Sequence, residues 1–433
     1  MNKLVASVFA AFGLVQCVSA SAPSVSNVIV AESTDWTKLE VSYVLSGAPA
    51  IVTVDVLTNG VSIGGEHLWT LSGDVNKVVE ADVAPKRVTW DVVGEWPGPK
   101  LENGIVSAVV TAWPTNAPPD YMVVDLRNDE DRGGIERIRY FTSTNFLPGG
   151  LLSTNYYRTE AIVLRRIHAA NRHFTAGQAP WESGYASSWG KFDAVFSNDY
   201  YIGVFPVTQS QWALVQSNAG RTSDSDLWPS GFSNPAYRDM RPVEKVSRND
   251  IRNTDWPSSP DANSFLGRMR RQTGVAFDLP GDVQWEFACK GDVLDGFWND
   301  GSPMSKAGAE SAFATCVNLP GRYSGNVGGD SSNANCDADS GTAIVGSYSP
   351  STWGLYDMHG NVMEWTLDRR YDNAATRKTL RGAINASSSD SRYVLHGGCY
   401  NRAAYQAVGS YINTEWRNNR YDVIGFRVVV NLP

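Results

Sequence analysis

The 433-residue chain has little charge, at 19% of residues, and no low-complexity tract, which excludes a disordered or fibrous protein. It lacks a basic surplus. The formal net charge of -8 excludes a phosphate-tracking nucleic-acid protein. Beyond the first residues no run reaches about 18 apolar positions, so no transmembrane helix is expected. Histidine is scarce, at five, and His359 has no second histidine or cysteine at ligand spacing. It reads as a hydrogen-bonding loop residue rather than a metal ligand or general base. Cysteine is also scarce, at five. What is abundant is aromatic: 15 Trp and 18 Tyr, which suit large cores and recognition faces alike.

The chain opens MNKLVASVFAAFGLVQCVSASAP. Lys3, the apolar run Leu4 to Val15 and the small residues Val18-Ser19-Ala20 form a secretory signal peptide over 1–20. Gln16 is too bulky to precede a lipidated Cys17. The expected destination is exported: secreted, periplasmic or cell surface. Cys289, Cys316, Cys336 and Cys399 then remain for an oxidising compartment. Three pairings are open. Cys316 with Cys336 and Cys289 with Cys399 is the one expected, against four buried free thiols.

Residues 23–113 alternate apolar and polar in LEVSYVL, IVTVDVL, RVTWDVV and IVSAVVTAW. Asn59-Gly60 marks a hairpin. A small immunoglobulin-like β-sandwich, serving as spacer or docking module, is expected. PTNAPPD, 114–120, reads as a linker. The remainder, 121–433, reads as one loop-rich α+β unit. Its helix starts are a capping box at Thr208 with Gln211, a second at Ser247 with Asp250, Ser259-Pro260 before a helix stopped by Gly274, and LPGDVQWEFACKGD.

The stretch GLYDMHGNVMEW, 354–365, packs turn-formers, two acids and a tryptophan into twelve residues. With YIGVFPVTQSQW, RPVEKVSRND, DLPGDVQWEFACKGD, LHGGCY and IGFRVV, in this order over about 160–430, it resembles the formylglycine-generating (sulfatase-modifying factor) family. That resemblance implies a C-type-lectin-like fold and bound calcium, a cation that takes six to eight hard oxygens. One implied site is Asp357, the carbonyls of Gly360 and Val362, and the Glu364 carboxylate. A second is Asn318 and the Leu319 carbonyl with Asp337 and Asp339, in an acid–amide stretch, NANCDAD, that suits a hard cation.

The resemblance also implies an oxidase centre, and here the chain departs from it. Catalytic relatives place two cysteines after a Gly-Gly-Ser turn to hold copper(I). Aligned on Gly397-Gly398, those positions are Arg402 and Ala407, and Cys399 takes the serine's place. Cys399 is thus a weak catalytic candidate, and copper is not expected. The histidine-bound iron of other superfamily members has no ligands here either. Asp278, Gly281, Asp282 and Gln284 replace an arginine, a threonine and two glutamates, and His396 replaces an arginine, while Trp285, Glu286 and Trp365 are kept.

In place of the thiols stand Tyr400, Asn401, Arg402, Tyr405, Tyr411, Asn413, Trp416, Arg417, Asn418, Asn419, Arg420 and Tyr421, residues of adaptable recognition surfaces. This composition resembles the terminal patch of the variable ligand-binding proteins of diversity-generating retroelements. The ligand-contacting set expected is Tyr400, Asn401, Arg402, Tyr405, Trp416, Arg417, Asn419 and Tyr421. The expected function is an exported, calcium-stabilised binding protein for a peptide, protein or glycan. The alternatives are a formylglycine-generating oxidase acting on a cysteine of a substrate protein, as in sulfatase maturation, and a structural surface protein.

Overall fold

A computed structural model describes residues 21–33, 35, 37–98, 105–177, 190–291, 321–326, 341–371, 383–386 and 390–433. The amino-terminal strands are β1 (Ser24–Glu32), β2 (Lys38–Ser46), β3 (Ala50–Thr58), β4 (Val61–Ser62), β5 (Ser72–Gly73), β6 (Val78–Val79), β7 (Lys86–Asp91) and β8 (Val106–Pro114). One sheet runs β1-β2-β7-β5. The other runs β4-β3-β6, with β8 also paired to β3. Period-two burial turns Leu39, Val41, Tyr43 and Leu45 of β2 inward. There they share one core with Val52, Val54 and Val56 of β3 and Trp90 of β7. Asn59 and Gly60, at φ +51° and +77°, make the β3–β4 hairpin that the Asn-Gly pair predicts.

The 114–120 segment is not a loose tether. Pro118 and Pro119 are buried, and their carbonyls accept from Arg166 and from the Tyr201 hydroxyl. Further contacts fix the amino-terminal sheets on the larger unit beyond residue 120. Gly65 N–H donates to the Asn145 carbonyl at 2.7 Å, and Trp69 meets Tyr156 edge-on at 5.3 Å.

The larger unit holds β9 (Tyr121–Asp125), β10 (Ile138–Phe141), β11 (Ala161–Ile167), β12 (His173–Ala176), β13 (Phe192–Val195), β14 (Tyr200–Gly203), β15 (Met363–Arg369), β16 (Arg392–His396), β17 (Asn413–Trp416), β18 (Ile424–Gly425) and β19 (Val429–Asn431). A five-stranded sheet runs β10-β9-β11-β14-β19, so the last strand of the chain closes a sheet begun at residue 121. A four-stranded sheet runs β17-β16-β15-β18, with β15 parallel to β18 and the other pairs antiparallel. β12 and β13 form a separate pair. The helices are few and short: α1 (Val92–Glu95), α2 (Tyr156–Thr159), α3 (Gln209–Asn218), α4 (Asp224–Leu227), α5 (Arg248–Ile251), α6 (Phe265–Thr273) and α7 (Asp282–Lys290).

Both expected capping boxes form, at Thr208 for α3 and Ser247 for α5. Gly274 closes α6 at φ +74°, but that helix starts at a Ser264 cap rather than at Ser259-Pro260. Ser264 Oγ accepts from Gly267 N–H and satisfies a free first-turn donor, which Ser259 does not do.

The expected Cys289–Cys399 disulfide is not formed. Both thiols are free and buried, and they belong to different apolar clusters, so folding packs them apart. Cys316 and Cys336 lie outside the described residues. Among the described residues no helix is long and apolar enough to cross a membrane.

Candidate functional site

The sequence from Gly354 to Trp365 turns into β15, and its acids are buried. Glu364 is 0% exposed. Its carboxylate accepts a two-pronged pair from Arg427, Nε at 2.7 Å and Nη2 at 2.8 Å, and Nε1–H of Trp285 at 2.6 Å. Arg427 also donates to the carbonyls of Gly203 and Tyr356. One ion pair thereby joins β15, α7, β14 and the last strand region. A guanidinium already neutralises its charge and would repel a cation at the same oxygens, so the carboxylate expected as a calcium ligand serves in this structure as the partner of Arg427 and Trp285.

Asp357 is buried at φ +57°. It accepts from Gly346 N–H at 2.8 Å and from the Asn361 amide at 3.3 Å, and burial pushes its carboxyl up to about 6. Gly360, at φ +90°, lies where a Cβ would meet the Arg322 carbonyl oxygen at 2.0 Å, so the tight turn needs glycine. Val362 is buried two residues on. The residues thus fit calcium in part: one carboxylate and two carbonyl positions remain, and the fourth ligand is lost to Arg427. Asn318, Leu319, Asp337 and Asp339 lie outside the described residues.

His359 behaves as a structural residue. Its Nδ1 lies 2.7 Å from the Ala407 carbonyl, and burial pushes it down to about 4, which keeps it neutral. Its Nε2 is 3.8 Å from the Cys289 sulfur, whose thiol burial pushes up. Asp282, at the start of α7, sits in a buried polar cluster. Asp282 meets His396 at 2.5 Å, and Tyr371 donates to both Asp282 and Asp368. His396 stacks on Trp285 at 4.7 Å. Asp282 and His396 are both buried, so an acid–imidazole pair stands inside the core at this place.

After β16, Gly397 and Gly398 turn the chain at φ +92° and +66°. A Cβ on Gly398 would come within 2.7 Å of the Ala407 Cα. Ala407 is 1% exposed, while Arg402 is exposed. Cys399 is buried. Its sulfur lies 3.3 Å from Asn401 Oδ1, and burial pushes the thiol up to about 11. A thiol so held stays protonated at neutral pH and is a poor nucleophile.

The structure divides the expected ligand-contacting set. Tyr400 is buried edge-on against Phe232 at 5.3 Å, with its hydroxyl toward Asp422, so it is a core residue and not a contact. Asn401 and Arg402 are exposed, and half-buried Tyr405 meets Tyr411 edge-on at 6.0 Å. Trp416 and Tyr421 stand out at 51% and 45% exposure, with Arg392 5.6 Å from the Trp416 ring. Arg417 and Asn419 hold the intervening loop. Arg417 Nε donates to Asn249 at 2.6 Å and Nη2 to the Asn253 carbonyl, while Asn419 donates to Glu415 at 2.8 Å. Arg420 forms a two-pronged pair with Asp250 at 2.6 and 2.7 Å.

The anchoring residues Asn249, Asp250 and Asn253 escaped sequence reading because they lie about 170 positions away. The one available signal was the polar run Arg248-Asn249-Asp250 inside a capping box. These anchors, with Arg420, line a polar groove of about 590 Å³ that also takes in Lys245, Arg268 and Trp228.

Formylglycine-generating enzyme of Mus musculus is 29% identical over 122 residues, 28% of this chain and 30% of its own length. That of Thermomonospora curvata is 25% identical over 171 residues, 37% and 52%. The chain thus spans between about a third and a half of these curated relatives. Among solved structures, PvdO from Pseudomonas aeruginosa is similar at 20% identity and a TM-score of 0.46, over 62% of this chain and 94% of that one. Treponema denticola variable protein 1 is similar at 22% identity and a TM-score of 0.41, over 63% and 96%. Residues 173–432 match the FGE-sulfatase family, described as a sulfatase-modifying factor enzyme 1-like domain. With more than half of its length matched, the protein belongs to the sulfatase-modifying factor family.

Proposed function

We propose that this protein is an exported binding protein of lectin-like architecture, in which the family's oxidase centre has been lost and the carboxy-terminal face receives a peptide, protein or glycan. The observation that carries this reading is the pair Trp416 and Tyr421. They are the large exposed rings of a loop that three hydrogen-bonded anchors hold rigid. Exposed aromatics on a pre-ordered backbone lose little entropy on binding, which is the usual make-up of an energetic anchor. The polar groove beside them supplies donors and acceptors of both charges.

The oxidase reading needs two thiolates on one copper(I) ion. Arg402 and Ala407 offer none, and Cys399 is a buried thiol with no cysteine partner among the described residues. Copper titration of the full chain tests this. The binding reading expects no stoichiometric copper(I) site. A tight site abolished by Cys399→Ser would restore the oxidase. The binding face itself is tested by glycan and peptide arrays. Ligands are expected that Trp416→Ala and Tyr421→Ala both lose. Ligands kept by both variants would remove the 416–421 loop from the site.

Calcium would be held by Asp357 and the carbonyls of Gly360 and Val362, without Glu364. A native-state ligand stabilises by mass action, so chelation is expected to lower the thermal midpoint. An unchanged melt would mean that no calcium is held there.

A further inference from the structure

We propose that the polar groove beside the carboxy-terminal face receives an acidic sugar of a glycan ligand, and that Arg268 meets the sugar's carboxylate. The inference deepens the binding reading above and rests on it.

Arg268 differs from the other arginines of this region. Arg420 pairs with Asp250, Arg252 and Arg270 with Asp278, and Arg248, Arg369 and Arg417 gather at Asp255. Arg268 is 7% exposed, and its one hydrogen bond among the described residues runs from Nη1 to the neutral amide oxygen of Gln216. The carboxylates that share the groove with it are engaged elsewhere. Asp250 holds Arg420, Asp226 meets Arg221 at 3.5 Å, and Asp261 accepts from Asn263 N–H at 2.8 Å. Burial and the like charge of Arg221 hold the guanidinium below its usual pKa. A cation so placed is costly to keep unless an anion completes it. Its Nε and Nη2 donors are unspent, and a carboxylate is the partner such a fork takes two-pronged.

Two further features favour an anion here. Arg268 stands four residues after the Ser264 cap of α6, and Ser264 and Asn263 line the same groove. The partial positive charge of that helix end adds to the guanidinium. Lys245, also on the groove wall, is exposed and its ammonium makes no hydrogen bond or ion pair among the described residues. Its chain passes over Gly231, where a Cβ would come within 2.6 Å of Nζ. Lys245 N–H donates to the Tyr421 carbonyl at 3.0 Å, so the groove wall and the aromatic loop are joined.

The rest of the wall suits a sugar. The side-chain amides of Asn253 and Asn263 are exposed and make no hydrogen bond among the described residues, and Trp228 is half-buried beside them. Amides both donate and accept, as sugar hydroxyls require. The volume, about 590 Å³, is that of an ordinary ligand cleft. No strand lines the groove among the described residues, so it offers no edge to an extended peptide. The net charge of -8 repels acidic ligands at large, so one held here marks a local site.

The test is a glycan array with uronic-acid-containing and neutral oligosaccharides, beside acidic peptides, probed with the full chain. Acidic glycans are expected as ligands. Arg268→Gln should weaken them about tenfold or more, the loss of a charged hydrogen-bonded pair, and Arg268→Lys should recover part of that. The thermal midpoint of Arg268→Gln should be unchanged or higher, since no counter-ion is left behind. Should that variant fold poorly, Lys245→Ala decides, by weakening acidic glycans and sparing neutral ones. Acidic glycans bound alike by wild type and variants overturn the inference, as does binding of neutral glycans or acidic peptides alone. Neutral ligands lost in Trp416→Ala would keep the aromatic face while sinking the acidic sugar. Acidic glycans lost in Arg268→Gln but kept by Trp416→Ala and Tyr421→Ala would keep the groove and remove the aromatics, so the two readings fail separately.

Discussion

The four-stranded sheet β17-β16-β15-β18 has two unlike regions. On β15, Glu364 is 0% exposed and locked by Arg427 and Trp285. On the edge strand β17, on the far side of β16, Trp416 is 51% exposed. Both carry residues of types favoured at functional sites: an acid in a turn-rich motif, and a tryptophan among Tyr, Asn and Arg. The difference teaches that a motif's chemistry depends on what meets it. Glu364 meets a guanidinium and becomes a fastener, whereas Trp416 meets solvent and stays available.

The largest expected effect falls at the locked strand. Glu364→Gln leaves Arg427 buried without its counter-ion, and unfolding in urea should show a loss of about 3–5 kcal/mol. A loss below about 1 kcal/mol would mean that the ion pair is not what joins the sheets. Next comes Glu244, which is 0% exposed and accepts from Gly231 and Phe232 N–H beneath Tyr400. Burial pushes its carboxyl from 4.5 up to about 7, against the backbone donors and Lys245, with Asp422 adding repulsion. The native state then holds a proton that the unfolded chain has released. Stability should therefore fall as pH rises from about 4.5 to 7 and level off above, by on the order of 2–3 kcal/mol. Glu244→Gln should flatten this window, and an unchanged profile would assign it to other groups.

Toward the open edge the effects shrink. Ser247→Ala removes the cap of α5 and loosens Asp250, the partner of Arg420, with an expected cost of about 1 kcal/mol. Trp416→Ala should change stability by less than about 0.5 kcal/mol while costing about 2 kcal/mol or more in ligand binding. The reverse pattern, a large stability loss with binding kept, would make the edge strand as structural as the centre and dissolve the contrast.

Local signals carried much of the fold. The alternation in LEVSYVL and IVTVDVL became β2 and β3, Asn59-Gly60 became the turn from β3 into β4, and Thr208 with Gln211 capped α3. The α6 start differs from Ser259-Pro260 because several serines precede the helix and it is Ser264 that reaches an unsatisfied donor. At the site, the loss of the cysteine pair was legible directly. The burial of Tyr400, the fate of Glu364 and the Asp255 cluster were not. Phe232, Arg427 and Arg417, which decide them, come from far along the chain, 63 positions away even in the case of Arg427 and Glu364.

What the sequence by itself determined is the family, the period-two strands, the capped helices and the absence of a thiol pair at 402 and 407. Each of these rests on residue identity or on neighbours within a few positions. Tertiary structure alone decided which acids are fasteners, which aromatics face solvent, and which arginines gather at Asp255. Those outcomes depend on which distant groups share a burial site, and a charge or a ring acquires its role from that neighbour rather than from its own position in the chain.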